Sequence, residues 1–210
     1  QDYTVTSVTG QYVNPPTSGT NDALSNMGNK DDGTYTVNLP FNVPYYGVSV
    51  DKITVCTNGY AFMNAVGYYT YGYSPVSLPQ TGQYDGIVKV AMTDGDGRGT
   101  NAKLLYWSEG TAPNRRFIVT WQNWQHYSQT GSANFQAQFY ESGRIQLAYS
   151  GSWTWNYTTG VGIDALAPDN RWSAPNNSSN YTFTGTPAND WRFEPDITSF
   201  TGRVMIEEVA

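Results

Sequence analysis

The sequence predicts an all-β protein, an antiparallel β-sandwich of jelly-roll-like type formed by a single domain. Three observations support this fold class. The 210 residues include 17 Tyr, 7 Trp, 8 Phe and 21 Gly, and only 13% are charged. Aromatic side chains suit a pleated, half-buried surface, and Gly supplies turns. Short β-prone segments also recur about every 8–12 residues with turn signals between them, as in sandwiches.

The first 30 residues are predicted to be a β-strand followed by a flexible loop, and residues 31–210 form the body. Residues 2–9 are β-prone and end at Gly10, and the stretch 14–29 is rich in Pro, Ser, Gly and Asn. A strand separated from the body by a loop can complete the sheet edge of a neighbouring subunit. Tyr3, Val5 and Val8 are therefore predicted to be assembly residues.

The body is predicted to contain strands separated by turns, with a long Tyr-, Gly- and Pro-rich loop at 64–85. Asn58-Gly59 favours a type I′ hairpin turn, since this dipeptide tolerates two positive φ angles. Pro40 and Pro44 place the first body strand at an edge or a bend. The predicted body strands cover 34–39 with an extension to 47, 50–57, 60–63, 87–92, 102–107, 116–121, 134–140, 144–149, 161–163, 180–184, 191–193 and 203–206.

The charge balance bears on partners and location. A net charge of −6 and a pI of about 4.6 argue against nucleic acid or anionic lipid as partner, because both require clustered Lys and Arg. No apolar run approaches the roughly 20 residues of a membrane span. The uncharged polar surface is typical of exported β-proteins. Gln1 is interpreted as an N-terminus left by signal peptide removal, with a domain boundary as the alternative, and we expect an extracellular or cell-surface location.

The residues that catalysis would require are scarce. Cys56 is the single cysteine and is predicted to be a small buried core residue, so no intramolecular disulfide can form. His126 is the single histidine and is predicted to lie in a loop or at a strand end. Glu109 and Glu141 border turns, where acids are routine, although paired carboxylates for glycoside hydrolysis would draw on them and on Asp164. A non-enzymatic protein is predicted.

One acidic turn has the start of a calcium loop. Asp94-Gly95-Asp96-Gly97 offers two carboxylates in a Gly-containing turn, as hard cations prefer. The EF-hand pattern is not completed, because its bidentate Glu is absent from the stretch 102–105. Asp94 and Asp96 are candidate calcium ligands, and calcium is the single cofactor considered. An ordinary acidic turn is the alternative.

Trp153, Trp155 and Tyr157 alternate along the chain and would line one face of a strand. Exposed coplanar aromatic rings stack on sugars, so these residues are a candidate carbohydrate-binding platform. The alternative is that they belong to the core between the sheets or to a subunit contact, since large aromatics dominate both.

Four asparagines begin the N-glycosylation pattern Asn-x-Ser/Thr. Such sequences also arise by chance in chains rich in Asn and Thr, so they indicate glycosylation only in a host that glycosylates. The four are Asn156, Asn176, Asn177 and Asn180.

Residues 112–121 match the motif Ala-Pro-Asn-Arg-x-Phe-x-Val-x-Trp, and 135–145 match the Phe-Gln-x-x-Leu-Tyr-Glu-x-Gly-x-Ile hairpin with Phe139 at the Leu position. Residues 39–47, 53–60 and 160–163 match further blocks. Together these segments, which span about 34–165, resemble bacterial secreted β-sandwich modules that are distantly similar to the nidogen-type extracellular domain. The chain departs from the pattern at 92–97, where the family commonly has an aromatic and two acids, so no role of that acidic pair is carried over.

The resemblance implies a secreted surface protein with an adhesive or scaffold role, and no reaction. Two functions follow as expectations. The first is a structural or adhesive surface protein that self-assembles into a filament or matrix by β-strand donation. The second is a soluble carbohydrate-binding module. The expected partners are other copies of the chain, other surface proteins or glycans.

Overall fold

A computed structural model of the chain describes residues 2–63, 72–128 and 130–196. Two antiparallel sheets pack face to face in this part of the chain, which confirms the all-β sandwich. The strands are β1 (Tyr3–Val8), β2 (Asn21–Asp22), β3 (Thr34–Tyr45), β4 (Val48–Cys56), β5 (Tyr60–Met63), β6 (Ile87–Met92), β7 (Gly95–Asp96), β8 (Lys103–Glu109), β9 (Arg116–His126), β10 (Ala133–Tyr140), β11 (Ile145–Ser150), β12 (Thr159–Asp164), β13 (Trp172–Ser173), β14 (Thr182–Phe183) and β15 (Asp190–Pro195). Short 3₁₀ helices cover Ala23–Asn26, Gly82–Tyr84 and Pro175–Asn177.

The first sheet has the strand order β1-β15-β11-β10-β9-β8-β2, and β7 also pairs with β9. The second sheet has the order β13-β12-β6-β5-β4-β3, and β14 also pairs with β12. The edge strand β1 of the first sheet comes within 8 Å, between Cα atoms, of the edge strand β13 of the second. The two edges therefore meet along one side of the sandwich.

The core between the sheets is built on aromatic side chains from β9 and β10. Trp121 and Trp124 are fully buried, and their indole N–H groups donate to the main-chain oxygens of Cys56 (3.0 Å) and Thr57 (2.8 Å). Phe135 stacks on Trp121 with ring centroids 5.1 Å apart. Since a buried indole needs a hydrogen-bond acceptor, these contacts fix the β4–β5 turn against the opposite sheet. Cys56 is itself buried, as predicted, and burial raises the pKa of its thiol to about 11.

The strand β3 forms the far edge of the second sheet, as its prolines predict. Val37, Leu39, Phe41, Val43 and Tyr45 alternate inward and are all buried. The pairing with β4 shifts register between residues 38 and 43, around the proline at 40. An edge position tolerates this interruption because its outer hydrogen-bonding groups have no ladder to complete.

The turn at Asn58-Gly59 joins a hairpin, but the type I′ prediction is wrong. Cys56 pairs with Tyr60, so the loop has three residues, and only Gly59 has a positive φ (79°). A Cβ on Gly59 would lie 2.0 Å from the main-chain oxygen of Ala91. Glycine is therefore required here both for the backbone conformation and for the close approach of β6.

The N-terminal region departs from the prediction of a strand separated by a flexible loop. β1 pairs along its whole length with β15 of the same chain. The stretch 14–29 packs on the body, because Leu24 is buried and the Asp22 carboxylate accepts hydrogen bonds from the main-chain N–H groups of Leu24 and Leu104. The region that links β1 to the body is therefore ordered by specific contacts.

None of the helices in the described residues has the length and apolar character that a membrane crossing requires. The strand predicted at 203–206 lies outside the described residues.

Candidate functional site

A groove of about 640 Å³ runs along the side of the sandwich where the two sheet edges meet. β1 forms one wall, and β13 with the following 3₁₀ helix forms the other. The residues that line the groove are Tyr3, Val5, Thr6, Ser7, Trp172, Ser173, Ala174, Asn176, Asn177, Tyr181, Asn189 and Trp191. None of these side chains is charged, so the groove is a neutral surface of aromatic rings, hydroxyls and amides.

The aromatic part of the groove comes from three segments of the C-terminal half. Trp172 lies on β13 opposite Asp164 of β12, and Trp191 lies on β15 opposite Ser7 of β1. The ring of Tyr181 meets that of Trp191 edge-on at 5.6 Å. Trp191 is nearly buried, whereas Trp172 and Tyr181 remain partly exposed. Sequence reasoning misses these residues, because an isolated Trp beside Asn and Pro residues gives no periodic signal.

The first strand is anchored at the end of this groove by Tyr3. Its side chain is only 8% exposed, and its ring packs edge-on to Tyr46 at 4.9 Å and tilted to Tyr45 at 6.2 Å. The hydroxyl donates to the main-chain oxygens of Gly143 (3.1 Å) and Pro44 (3.3 Å).

The other two predicted assembly residues of β1 lie on different faces of the strand. Val5 packs against the same core as Tyr3, whereas Val8 points to the other face of the sheet. Two of the three predicted assembly residues therefore lie on the inward face.

A short link outside the strand ladder separates β1 from a segment fixed on the outer face of the first sheet. Thr9 and Gly10 are exposed, and Gly10 has φ 68°. The next residues are held firmly: Val13 exchanges two hydrogen bonds with the amide of Gln136 (3.1 and 2.8 Å), and Gln138 donates to the main-chain oxygen of Gln11 (2.7 Å). Residues 9 and 10 thus form the exposed link between β1 and this segment.

A cluster of carboxylates lies outside the groove, beside the β4–β5 turn. Carboxylate oxygens of Asp31, Asp32 and Asp94 lie within 4.8 Å of one another. Asn58 donates to Asp32 (3.0 Å), and this contact ties the cluster to the β4–β5 turn. Burial and the negative charges of Asp31 and Asp32 raise the pKa of Asp94 to about 6. Hard cations such as Ca²⁺ prefer a set of oxygen ligands of this kind.

The structure groups a different set of carboxylates around Asp94 from the one that the sequence predicts. Asp94 lies in the cluster, but the carboxylate of Asp96 is fully buried and forms a two-pronged ion pair with Arg98 (2.7–3.1 Å). An arginine fork satisfies a carboxylate and leaves it little capacity for a metal. Asp96 is therefore corrected to a structural partner of Arg98, and Asp31 with Asp32, which the sequence presents as a turn signal, take its place beside Asp94. Calcium binding itself stays a prediction.

The prediction that Trp153 and Trp155 belong to an exposed aromatic platform is wrong. Trp153 is 7% exposed and Trp155 is 1% exposed, and the two indoles stack on each other at 5.4 Å inside the core. The stretch 152–157 is not a strand, so alternation along the sequence does not place its side chains on one exposed face. The alternative interpretation as core between the sheets is the one that the structure supports.

Tyr157 is the member of that set that reaches the surface. Its ring stacks on His126 with centroids 3.5 Å apart, at the end of β9 where a strand-end histidine is predicted. Its hydroxyl exchanges hydrogen bonds with Ser128 (2.9 Å) and Thr130 (3.4 Å), which lower its pKa. Burial lowers the pKa of His126. These hydrogen bonds join Ser128 and Thr130 to Tyr157.

The four asparagines of the glycosylation pattern are exposed. Asn176 and Asn177 lie on the groove and have positive φ angles of 55° and 50°. Their exposure is compatible with modification, which stays a prediction.

A comparison with families of known proteins identifies the family of the chain. The sequence profile of the family described as NIDO-related matches residues 2–199. The chain belongs to the nidogen-related family. The match covers far more than the segments 34–165 that carry the resemblance in the sequence, and it includes the first strand. No solved structure matches the chain.

Membership in the nidogen-related family indicates an extracellular structural or binding module. The family and the all-β fold favour a module without enzymatic activity. Protein binding is the role that the family suggests for the domain.

Proposed function

We propose that this nidogen-related chain is a structural surface module that assembles by exchanging β1 between copies. In the assembled form, β1 of one copy would pair with β15 of the next, and Tyr3 would fill the pocket beside Tyr45 and Tyr46 of that neighbour. Exchange of an identical element creates an intermolecular interface from contacts that already exist within one chain. The proposal therefore needs no new binding surface.

The observation that carries the proposal is the combination of an anchored strand with a hinge. β1 is an edge strand of six residues, so its release leaves the rest of the first sheet intact. Gln11 and Val13 are held on the sheet, and the link at residues 9 and 10 is exposed. A strand of this length extends about 20 Å from that hinge, since each residue adds about 3.3 Å. This reach allows β1 to enter an adjacent copy.

A deletion tests whether β1 joins the copies. Removal of residues 1–10 is expected to give a folded protein that stays monomeric, and a synthetic peptide of residues 1–9 is expected to bind it. Sedimentation velocity and negative-stain microscopy of the full chain and the deletion give the assembly state. Filaments or oligomers that persist in the deleted protein would contradict the proposal, as would a full chain that is monomeric at every concentration.

A point substitution at the hinge gives an independent test. Gly10 adopts φ 68° and has no neighbouring atom within 4 Å of the position that a Cβ would take, so Gly10→Ala adds mainly backbone strain. That strain costs roughly 1 kcal/mol in the unexchanged form and is relieved when the hinge extends. We expect Gly10→Ala to increase the assembled fraction about fivefold. Gly19→Ala is the matched control, because Gly19 has φ 80° with the same open surroundings but lies away from the hinge.

A further inference from the structure

We propose that the groove between β1 and β13 binds a neutral oligosaccharide. This site differs from the predicted platform at Trp153 and Trp155, both of which are buried. It also goes beyond the proposed assembly. One wall of the groove is β1, and an exchanged β1 from a neighbour would supply the same wall, so the groove exists in both forms.

The charge of the lining selects the class of ligand. Among the described residues, no acidic or basic side chain lines the groove. Burial of an ionic ligand without a partner of opposite charge is unfavourable. An anionic glycan, a nucleic acid or a charged peptide therefore finds no complementary group here, whereas a neutral, hydroxyl-rich ligand loses nothing by the absence of charge.

The aromatic rings offer the apolar contacts that a sugar ring needs. Trp172 and Tyr181 are partly exposed and lie on the groove, and Tyr181 is held in place by its edge-on contact with Trp191 at 5.6 Å. Aromatic faces carry a partial negative charge that attracts polarised C–H groups. The C–H faces of a pyranose ring match this surface, and its hydroxyls project around the rim.

The polar side chains around the rings suit those hydroxyls. Asn176, Asn177 and Asn189 line the groove, and each amide presents both a donor and an acceptor. A sugar hydroxyl also donates and accepts, so one amide satisfies two adjacent hydroxyls. Thr6 and Ser7 line the opposite wall. Apolar rings with a few convergent polar groups are the usual composition of a small-molecule site.

The width of the groove argues against an added β-strand as the occupant. An inserted strand needs about 4.8 Å to each neighbouring strand, or nearly 10 Å between the two walls. Cα atoms of β1 lie within 8 Å of β13 and of the 3₁₀ helix at Pro175–Asn177. The groove volume of about 640 Å³ lies within the range of about 300–1,000 Å³ that small-ligand pockets occupy. The geometry thus favours a short oligosaccharide lying on the surface.

The test is isothermal titration calorimetry with neutral hexasaccharides of glucose, mannose and N-acetylglucosamine. The protein is produced in a host that does not glycosylate it, because Asn176 and Asn177 would otherwise carry glycans at the groove. We expect at least one hexasaccharide to bind, and Trp172→Ala and Tyr181→Ala to weaken that binding about tenfold or more. Tyr127→Ala is the matched control, since Tyr127 is 53% exposed and lies outside the groove.

Each outcome decides the proposal. Binding that falls in both groove variants and stays unchanged in Tyr127→Ala supports it. If Trp172→Ala does not fold, as judged by circular dichroism, Tyr181→Ala and Asn177→Asp carry the comparison. Failure of all three hexasaccharides to bind overturns the proposal, as does binding that is unchanged in the groove variants. Binding of an anionic hexagalacturonate or of a peptide of residues 3–9, with no neutral sugar bound, also overturns it.

Discussion

The hydroxyl of Tyr3 donates a hydrogen bond to the main-chain oxygen of Gly143 at 3.1 Å, across 140 residues of sequence. This contact joins the first strand to the turn between β10 and β11. Burial raises the pKa of the Tyr3 phenol well above its ordinary value, so the group stays a protonated donor at physiological pH. Tyr3 is thus a long-range anchor, and its hydrogen bond is a measurable part of the stability of the closed chain.

Replacement of this hydroxyl tests the anchor. Tyr3→Phe keeps the ring between Tyr45 and Tyr46 but leaves two carbonyl oxygens without their donor. We expect the free energy of unfolding to fall by about 1–2 kcal/mol, the usual cost of a lost buried hydrogen bond. Urea denaturation followed by tryptophan fluorescence measures the change. Thr6→Ala, at an exposed position of the same strand, is the control and is expected to change stability by less than about 0.5 kcal/mol.

The stacked pair Trp153 and Trp155 gives a second prediction. Trp155 is 1% exposed and contacts Phe135 at 5.8 Å as well as Trp153. Trp155→Ala is expected to lower the free energy of unfolding by about 3–5 kcal/mol, because it removes a large side chain from a close-packed core. Tyr127→Ala, a large aromatic side chain removed from the surface, serves as the control. A stability of Trp155→Ala equal to that of the wild type would contradict the assignment of this residue to the core.

Local sequence signals are sufficient for most strands. Alternation in β3 and the apolar runs of β6 and β9 identify strands because the side-chain period of two reports which face is buried. The same rule misleads at 152–157, where Trp153 and Trp155 alternate in a segment without strand geometry. Their burial depends on Phe135 and Phe183, which are distant in sequence. No local pattern contains that information.

The candidate sites are harder to predict for the same reason. Asp94 is recognisable from its turn, but the cluster requires Asp31, which is brought near by the hydrogen bonds between residues 31–33 and Thr57. Spacing alone suggests Asp96, and the fold turns its carboxylate toward Arg98. The groove needs β1 and β13, which are separated by most of the chain. A site between sheet edges depends on the order of the strands in the sheets. The spacing of residues along the sequence does not reveal that order.

The carboxylate cluster leads to a prediction about divalent cations. The mutual repulsion of Asp31, Asp32 and Asp94 is expected to be relieved by Ca²⁺, which takes oxygen ligands from carboxylates and main-chain carbonyls. Addition of about 5 mM CaCl₂ is expected to raise the Tm of the wild type by several degrees, following the linkage between binding and stability. Differential scanning calorimetry with and without EGTA measures the shift.

Two variants make the calcium experiment specific. Asp94→Asn removes one charged ligand and is expected to lose most of the calcium-dependent shift, while its Tm without calcium rises because repulsion is reduced. Asp51→Asn is the control, since Asp51 is exposed on β4 and lies outside the cluster. A wild-type Tm that does not respond to Ca²⁺, or a response that survives in Asp94→Asn, would refute the calcium prediction.

The buried carboxylate of Asp164 determines the expected pH dependence of stability. Asp164 ends β12, and its side chain accepts a hydrogen bond from the main-chain N–H of Gln80 (3.1 Å). Burial, as the main cause, raises its pKa to about 7, and the nearby charge of Asp85 acts in the same direction. The amides of Gln80 and Gly86 and the charge of Lys89 oppose the shift. The folded protein therefore holds a proton on Asp164 over a range in which the unfolded chain has released it.

The sign of the effect follows from that difference. Between about pH 4 and pH 7 the folded state binds more protons than the unfolded state, so the free energy of unfolding falls as the pH rises. Burial lowers the pKa of Lys89 to about 8, and for this group the unfolded state binds the extra proton between about pH 8 and pH 10. Stability should then recover in that range. The two groups together predict a minimum of stability near pH 7–8.

Asp164→Asn tests this assignment because it removes the titrating group and keeps a polar side chain of the same size. At pH 8 the variant is expected to be more stable than the wild type by about 1–3 kcal/mol, and near pH 4 the difference should vanish. Urea denaturation at intervals between pH 4 and pH 9 measures both profiles, with Asp51→Asn as the exposed control. If the wild type and Asp164→Asn show parallel profiles across this range, the pH dependence arises from other groups, and Asp164 is ionised in the folded protein.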